Sequence, residues 1–260
     1  MKESKGRERF YVVAPWIIPI LLVVAWHVLT TTGIIAANVL PQPLKVLSVF
    51  AAMLKSGELL THIAISSKRA LSGLLIGGSI GFLLGLLNGF SRVAEKLADS
   101  SIQMVRTIPH LSLIPLVIIW FGIDEPAKLV LVSLGVFFPV YLNTFHGIRS
   151  IDAGLIEVGK VYGLSRLALY WHIILPGALP SILVGLRYAL GIMWLTLIVA
   201  ETVAAKSGLG YMAMNAREFF QMDVIVLSIL IYALLGKLSD SAAKLLEKWW
   251  LAWNPNYVRP

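Results

Sequence analysis

Five residues between Glu157 and Pro176 stand at the spacing E-x5-G-x9-I-x-L-P: Glu157, Gly163, Ile173, Leu175 and Pro176. They occupy a polar-to-amphipathic island, residues 147–176, between two long apolar segments. The chemistry such an island offers is contact. A charged, structured loop kept by a chain otherwise built for lipid is placed to meet another molecule. A second candidate is Arg187, near the middle of the next apolar segment. A charge there costs at least about 2.5–3.5 kcal/mol on insertion scales, so it must face a partner or a wet cavity. It is either a contact for an anionic solute in transit or half of a structural pair with a carboxylate or backbone carbonyls. Glu201 ends the same segment, too far along to pair with Arg187, and is left to cap or pair at the outer surface. A third candidate group is Thr107, His110 and Ser112, set among Pro109 and Pro115 in RTIPHLSLIP. Each proline removes a backbone donor and bends a helix, and freed carbonyls in a bilayer need water or protein. The bend lines a pathway or serves packing alone.

Enzymatic chemistry finds no foothold. There is no G-x4-G-K-[ST], since Gly236–Lys237 is followed by Leu238, and there is no G-x-S-x-G or H-E-x-x-H. His110 and His146 lack partners at metal-ligand spacing, so no metal site is expected. The absence of cysteine excludes disulfides and thiolate chemistry. No cofactor is expected on this chain.

The elements that hold these residues follow from composition. Only 14% of the 260 residues are charged and 58% are hydrophobic, with a mean hydropathy of +0.81. A soluble domain carries about 25% charged residues. This is therefore an all-α membrane protein with no room for a large soluble domain. The net charge of +8 does not point to nucleic acid, because the basic residues sit in separated clusters at the ends of apolar runs. About 20 apolar residues are needed to cross the hydrocarbon core. Six spans are predicted, at 11–31, 68–90, 101–121, 126–146, 177–200 and 223–246. They form a membrane domain over 11–246, between an N-terminal tail (1–10) and a C-terminal tail (247–260). The first span, with two prolines and no small-residue cleavage site, reads as an uncleaved helix rather than a secretory signal. With the N-terminus in the cytoplasm, the inner segments hold fourteen Lys and Arg and the outer ones five. That bias places both termini and the 147–176 island inside. Trp249, Trp250 and Trp253 then anchor the inner surface, and Lys237, Asp240 and Lys244 lie at the interface, snorkelling or paired at i+3 and i+4. Outside, 41–61 is mixed in character, and 208–223 reads either as an interfacial helix or as part of an outer gate.

Two local patterns have mechanical content. Gly73, Gly77, Gly81, Gly85 and Gly89 recur every four residues in the second span, marking a tight helix–helix face. The face is intramolecular or a dimer seam. In the island, Asp152 caps a short helix that Gly163 stops, and Ser165 caps a second, Arg166 to Ile173. Pro176 ends the second helix and opens the fifth span. The prediction is a helix–glycine–helix elbow joined to a transmembrane helix, so that force on the elbow moves the span. The alternative is an amphipathic loop lying on the surface.

The island resembles the EAA loop, E-A-A-x3-G-x9-I-x-L-P, of inner-membrane permease subunits of binding-protein-dependent ABC importers. The departure is Val158–Gly159 in place of the two alanines. The resemblance extends through HIAISSKRALSG (62–73), IPHLSLIPLVIIWFGIDEPAK (108–128), LPGALPSILVGLRYALGIMWLTLIVAE (175–201), GLGYMAMNARE (208–218) and WNP (253–255). It is strongest to the aliphatic sulfonate permeases; taurine, nitrate and pyrimidine-precursor permeases are more loosely similar. The resemblance implies a six-transmembrane-helix type I ABC importer permease fold working as a homodimer in the bacterial inner membrane. It also implies two cytoplasmic ATPase subunits that carry the ATP and magnesium, and a periplasmic or lipid-anchored solute-binding protein. It assigns Glu157, Gly163, Leu175 and Pro176 to the ATPase-coupling loop. Leu164 to Leu169, with Ser165 and Arg166, become the helix that enters the ATPase groove, and Arg166 a contact for its acidic rim. The expected activity is import of an aliphatic sulfonate by alternating access. Taurine, nitrate or another small anion is the alternative cargo. An ATPase-independent carrier is the alternative mechanism, although Asp and Glu cluster outside the spans. An intramembrane enzyme would need an acid–base or nucleophile pair that the sequence does not show.

Overall fold

The computed structural model describes residues 2–254, with backbone alone for 2–13 and 204. The side chains of Lys2, Lys5, Arg7 and Arg9, the residue Arg259 and Pro255 of the WNP stretch lie outside the described residues. Every regular element among the described residues is helical. Lipid offers no partner to backbone N–H and C=O groups, so apolar segments must satisfy them internally. In chain order the helices are α1 (Lys2–Thr31), α2 (Pro43–Ser56), α3 (Glu58–Phe90), α4 (Arg92–Arg106), α5 (Ile114–Phe121), α6 (Glu125–Arg149), α7 (Ala153–Val161), α8 (Arg166–Leu169), α9 (Leu175–Ala204), α10 (Leu209–Glu218) and α11 (Met222–Trp250). Five helical stretches are long and apolar enough to cross a membrane: 14–31, 58–90, 125–149, 166–203 and 222–250.

The third expected span differs from expectation. The segment expected as one span over 101–121 is a broken pair, α4 and the 110–121 segment, bent by 82°. The prolines start helices instead of kinking one. Pro109 precedes a 3-10 turn, His110–Leu113, and Pro115 sits in the first turn of α5, where its missing N–H has no helical partner to lose. The N-terminal arm is amphipathic. Ser91 caps α4 by accepting from the Ala94 N–H at 3.2 Å, and none of the residues of α4 is buried. The second span also begins earlier than expected, because α3 starts at Glu58 and not near Lys68.

The chain forms two units. One comprises residues 2–61 and 212–230. In it, the Trp26 indole donates to the Pro41 carbonyl at 2.9 Å, and Lys45 pairs with Asp223 at 3.3 Å. Gly57, at φ 78°, closes α2 in the left-handed conformation that glycine adopts without a steric penalty.

The other unit comprises 62–211 and 231–254, and α6 is its centre. The glycine ladder of α3 packs on α6 within the chain. A Cβ placed on Gly73, Gly81, Gly85 or Gly89 would lie 2.5–2.8 Å from an atom of Val132, Phe137, Thr144 or Ile148. On its other side α6 packs against α9, where a Cβ on Gly185 would meet the Pro139 carbonyl at 2.9 Å. Leu131, Val136 and Val140 of α6 and Leu183, Met193 and Leu197 of α9 are buried in this unit. Close backbone approach supplies packing that lipid cannot drive. Gly81→Ala is therefore expected to destabilise by about 1–3 kcal/mol, since the added methyl meets the Phe137 carbonyl at 2.6 Å. Gly78→Ala, whose methyl would meet only Val136 at 3.8 Å, is expected to stabilise slightly through helix propensity. Thermal unfolding of the two variants in detergent checks the opposite signs.

Candidate functional site

The elbow is built as its residues dictate. The Asp152 carboxylate accepts from the Gly154 N–H at 2.7 Å and caps α7. At the other end of α7 the Gly163 N–H reaches the Lys160 carbonyl (2.9 Å) and the Leu164 N–H reaches that of Gly159 (3.0 Å). This pair of bonds is a Schellman motif, with Gly163 at φ 77° as its left-handed residue. Ser165 then caps α8 by accepting from the Ala168 N–H at 3.2 Å.

Past α8 the helix does not stop, contrary to the expectation that Pro176 ends it. A five-residue π segment, Tyr170–Ile174, carries α8 directly into α9. The wider turn accommodates Pro176, which has no N–H to give to an i−4 carbonyl. The elbow and the transmembrane helix are thus one continuous rod over 166–203. Ile148, Leu169, Ile174 and Ala178 form a buried cluster with Leu86 and Phe90 of α3 against it, and the Tyr170 ring lies 4.5 Å from that of Phe90.

The expected coupling residues divide into two groups. Leu169 is buried and the half-buried Leu164 packs on the same cluster, so these two hold the elbow together. Leu175 and Pro176 lie in the rod, half-buried. Glu157, Gly163, Ser165 and Arg166 are exposed, and neither Glu157 nor Arg166 has an ion-pair partner among the described residues. Around them stand Val161 (85% exposed), Tyr162 (83%), Leu167 and Trp171. Gly159 is buried, and a Cβ there would lie 2.6 Å from the Ile173 Cδ1 atom. The departure from the two-alanine pattern therefore lets α7 lie closer to the rod.

The pathway candidates do not converge. Thr107 and Ser112 bond their own turns, to the carbonyls of Met104 (2.7 Å) and Pro109 (2.6 Å). His110 Nε2 lies 3.0 Å from the hydroxyl of Thr196 on α9. Arg187 meets α11, its Nε donating to Asp240 at 2.6 Å with Glu247 3.9 Å away. Asp240 also pairs with Lys244 (2.9 Å) and Lys237 (3.8 Å), at the i+4 and i+3 spacings expected.

One cluster was not anticipated. The Glu201 carboxylate accepts from Ser66 Oγ (2.8 Å), Arg69 Nη1 (2.8 Å), the Gly210 N–H (2.8 Å) and the Tyr232 hydroxyl (3.0 Å). Ser66 in turn accepts the Leu209 N–H, and Arg69 extends to Glu125 and the Ser207 carbonyl. The cluster ties α3, α6, α9 and α11 to the loop ahead of α10. Gly210 has no side chain to spare, since a Cβ would sit 2.6 Å from that of Glu201. The available signal was two opposite charges, Arg69 at the start of one apolar segment and Glu201 at the end of another, on the same expected side.

The described residues form long apolar helices, one of which, 166–203, continues from the elbow without a break. Residues 77–251 match the family model described as binding-protein-dependent transport system inner membrane component. The chain is 60% identical to the SsuC permease protein of Escherichia coli (strain K12), named for the transport of aliphatic sulfonates, over 94% of this chain and 93% of that one. It is 44% identical to the SsuC permease of Bacillus subtilis (strain 168), named likewise, over 99% and 93%. Among solved structures, an amino acid ABC transporter with histidines superposes with a TM-score of 0.64 at 19% identity, covering 76% of this chain and 97% of that one. The chain belongs to the family of binding-protein-dependent transport system inner membrane components. It is a multi-pass inner-membrane transport subunit with the type I ABC importer permease fold, and not an enzyme.

Proposed function

We propose that this chain is the permease of an ATP-driven importer of aliphatic sulfonates, working as two copies with an ABC ATPase subunit on each elbow. A solute-binding protein delivers cargo to the opposite face. The domain plan is a short cytoplasmic tail (1–10), a membrane domain (11–246) that carries the coupling loop (147–176), and a cytoplasmic C-terminal tail (247–260). The basic bias of fourteen to five supports cytoplasmic termini. The observation that carries the reading is the unbroken rod from Arg166 to Val203, with an exposed apolar and basic face at its elbow end. Val161, Tyr162, Arg166, Leu167 and Trp171 offer the partner a hydrophobic centre beside a cation, and buried aromatic anchors dominate docking energies. ATP binding in the partners draws the elbows together and opens the outer side; hydrolysis resets them. ATP and magnesium belong to the partner subunits. The cargo rests on the names carried by the two SsuC relatives.

The test is uptake of labelled ethanesulfonate into vesicles holding permease, ATPase and binding protein. Arg166→Glu is expected to cut uptake at least tenfold while the helices still insert. Uptake by the permease alone, with no ATPase, would refute the reading.

A further inference from the structure

We propose that a groove on α9 around Gly191 receives the sulfonate group in transit, with Arg187 as its anion fork and Asp240 positioning that fork; this rests on the sulfonate reading above. Arg187 lies twelve residues after Leu175 and seventeen before Ala204. At 1.5 Å per residue that is about 18 Å and 26 Å from the ends of α9. Its side chain is nevertheless 40% exposed. A charge exposed on an apolar helix faces water or protein and not hydrocarbon.

The guanidinium is only partly used. Nε donates to Asp240, whereas the 3.9 Å separation of Nη1 from Glu247 is too long for a hydrogen bond. The terminal amino groups therefore keep their donors, in the forked arrangement that binds oxyanions two bonds at a time. The groove's lining carries one cation, Arg187, and one carboxylate, Asp240, and that carboxylate is shared with Lys244 (2.9 Å) and Lys237 (3.8 Å) as well as Arg187.

Shape agrees. Val184, Arg187, Gly191, Ile192, Leu195 and Asp240 line one groove. Gly191 is one helical turn from Arg187 and on the same face. A Cβ added at Gly191 meets nothing within 4 Å, so the glycine is a notch and not a packing contact. The groove thus has a donor-bearing end at Arg187 for the sulfonate and largely apolar walls, with Tyr188 beside them, for its alkyl chain. The competing explanation is that Arg187–Asp240 only staples α9 to α11.

Uptake of methanesulfonate and hexanesulfonate is compared in vesicles of the whole importer, made with zwitterionic and with anionic lipid. If the wild type imports neither, the sulfonate reading fails, and this proposal with it. Given wild-type import, Arg187→Gln is expected to lower uptake at least tenfold in both lipids, with Arg187→Lys intermediate. The exchanged pair, Arg187→Asp with Asp240→Arg, is expected to co-purify with the ATPase subunit and still not transport. Gly191→Leu is expected to reduce hexanesulfonate uptake at least tenfold more than methanesulfonate uptake. Restored uptake in the exchanged pair, or its failure to assemble, would assign Arg187 to helix packing and overturn the proposal. So would an unchanged chain-length ratio in Gly191→Leu, or an Arg187→Gln effect confined to anionic lipid, which would make the ligand a lipid headgroup.

Discussion

Arg69→Ala is expected to destabilise the fold by about 3–5 kcal/mol, the typical result of removing one partner from a buried ion pair. The Glu201 side chain is fully buried and that of Arg69 is 5% exposed. Without Arg69, the carboxylate keeps Ser66, Tyr232 and the Gly210 N–H as donors but loses its counter-charge. Most of the cost is therefore an uncompensated charge in a dry site. Glu125, on the other side of the same guanidinium, is 56% exposed. Solvent already screens it, and the buried Lys128 that it also meets keeps the Ile123 carbonyl at 3.3 Å, so Glu125→Ala is expected to cost less than Arg69→Ala, about 1–2 kcal/mol. Replacing both buried partners, Arg69→Met with Glu201→Leu, should be milder than Arg69→Ala alone, because no charge is stranded. Melting temperatures in detergent, with accumulation in the membrane as a second readout, check the order. Equal melting of Arg69→Ala and Glu125→Ala would mean that the cluster does not hold these helices together.

That cluster also marks a limit of the sequence. Helices, caps and the elbow were legible because their signals are local: Asp152 and Ser165 cap where expected, and the left-handed Gly163 needs only its own backbone. The glycine ladder predicted a tight face, and the tertiary fold decided between the two readings by setting it on α6. Arg187 likewise required its partner, Asp240, which lies 53 residues away. Arg69 and Glu201 are 132 residues apart, and no periodicity links them. Arg69 stands one residue inside the expected start of the second span, at 68; paired and hydrogen-bonded, it is buried among the helices. The prolines of RTIPHLSLIP misled for a related reason. A proline inside an apolar run reads as a kink, yet it is equally at home in a first turn, and only the 82° break tells the two apart.

Gly163→Val is expected to abolish most sulfonate uptake, by at least tenfold, while Gly163→Asn stays near the wild type. Nothing lies within 4 Å of a Cβ built at this position, so crowding cannot account for either result. What differs is the backbone. At φ 77° an ordinary L-residue pays about 1–2 kcal/mol, and a β-branched one is a steric outlier. Asparagine enters this region more readily than other L-residues. Valine would open the turn and release the Gly163 and Leu164 N–H bonds that close α7. On the coupling role proposed above, the elbow would then flex where a partner's push enters the rod, and force would be absorbed before reaching α9. Ethanesulfonate uptake and nucleotide hydrolysis, measured together on the whole importer, separate this from misassembly. The expected Val variant still co-purifies with the ATPase and hydrolyses ATP, but with little solute moved per ATP. If valine and asparagine transport alike, the turn at Gly163 is a connection and not part of the lever.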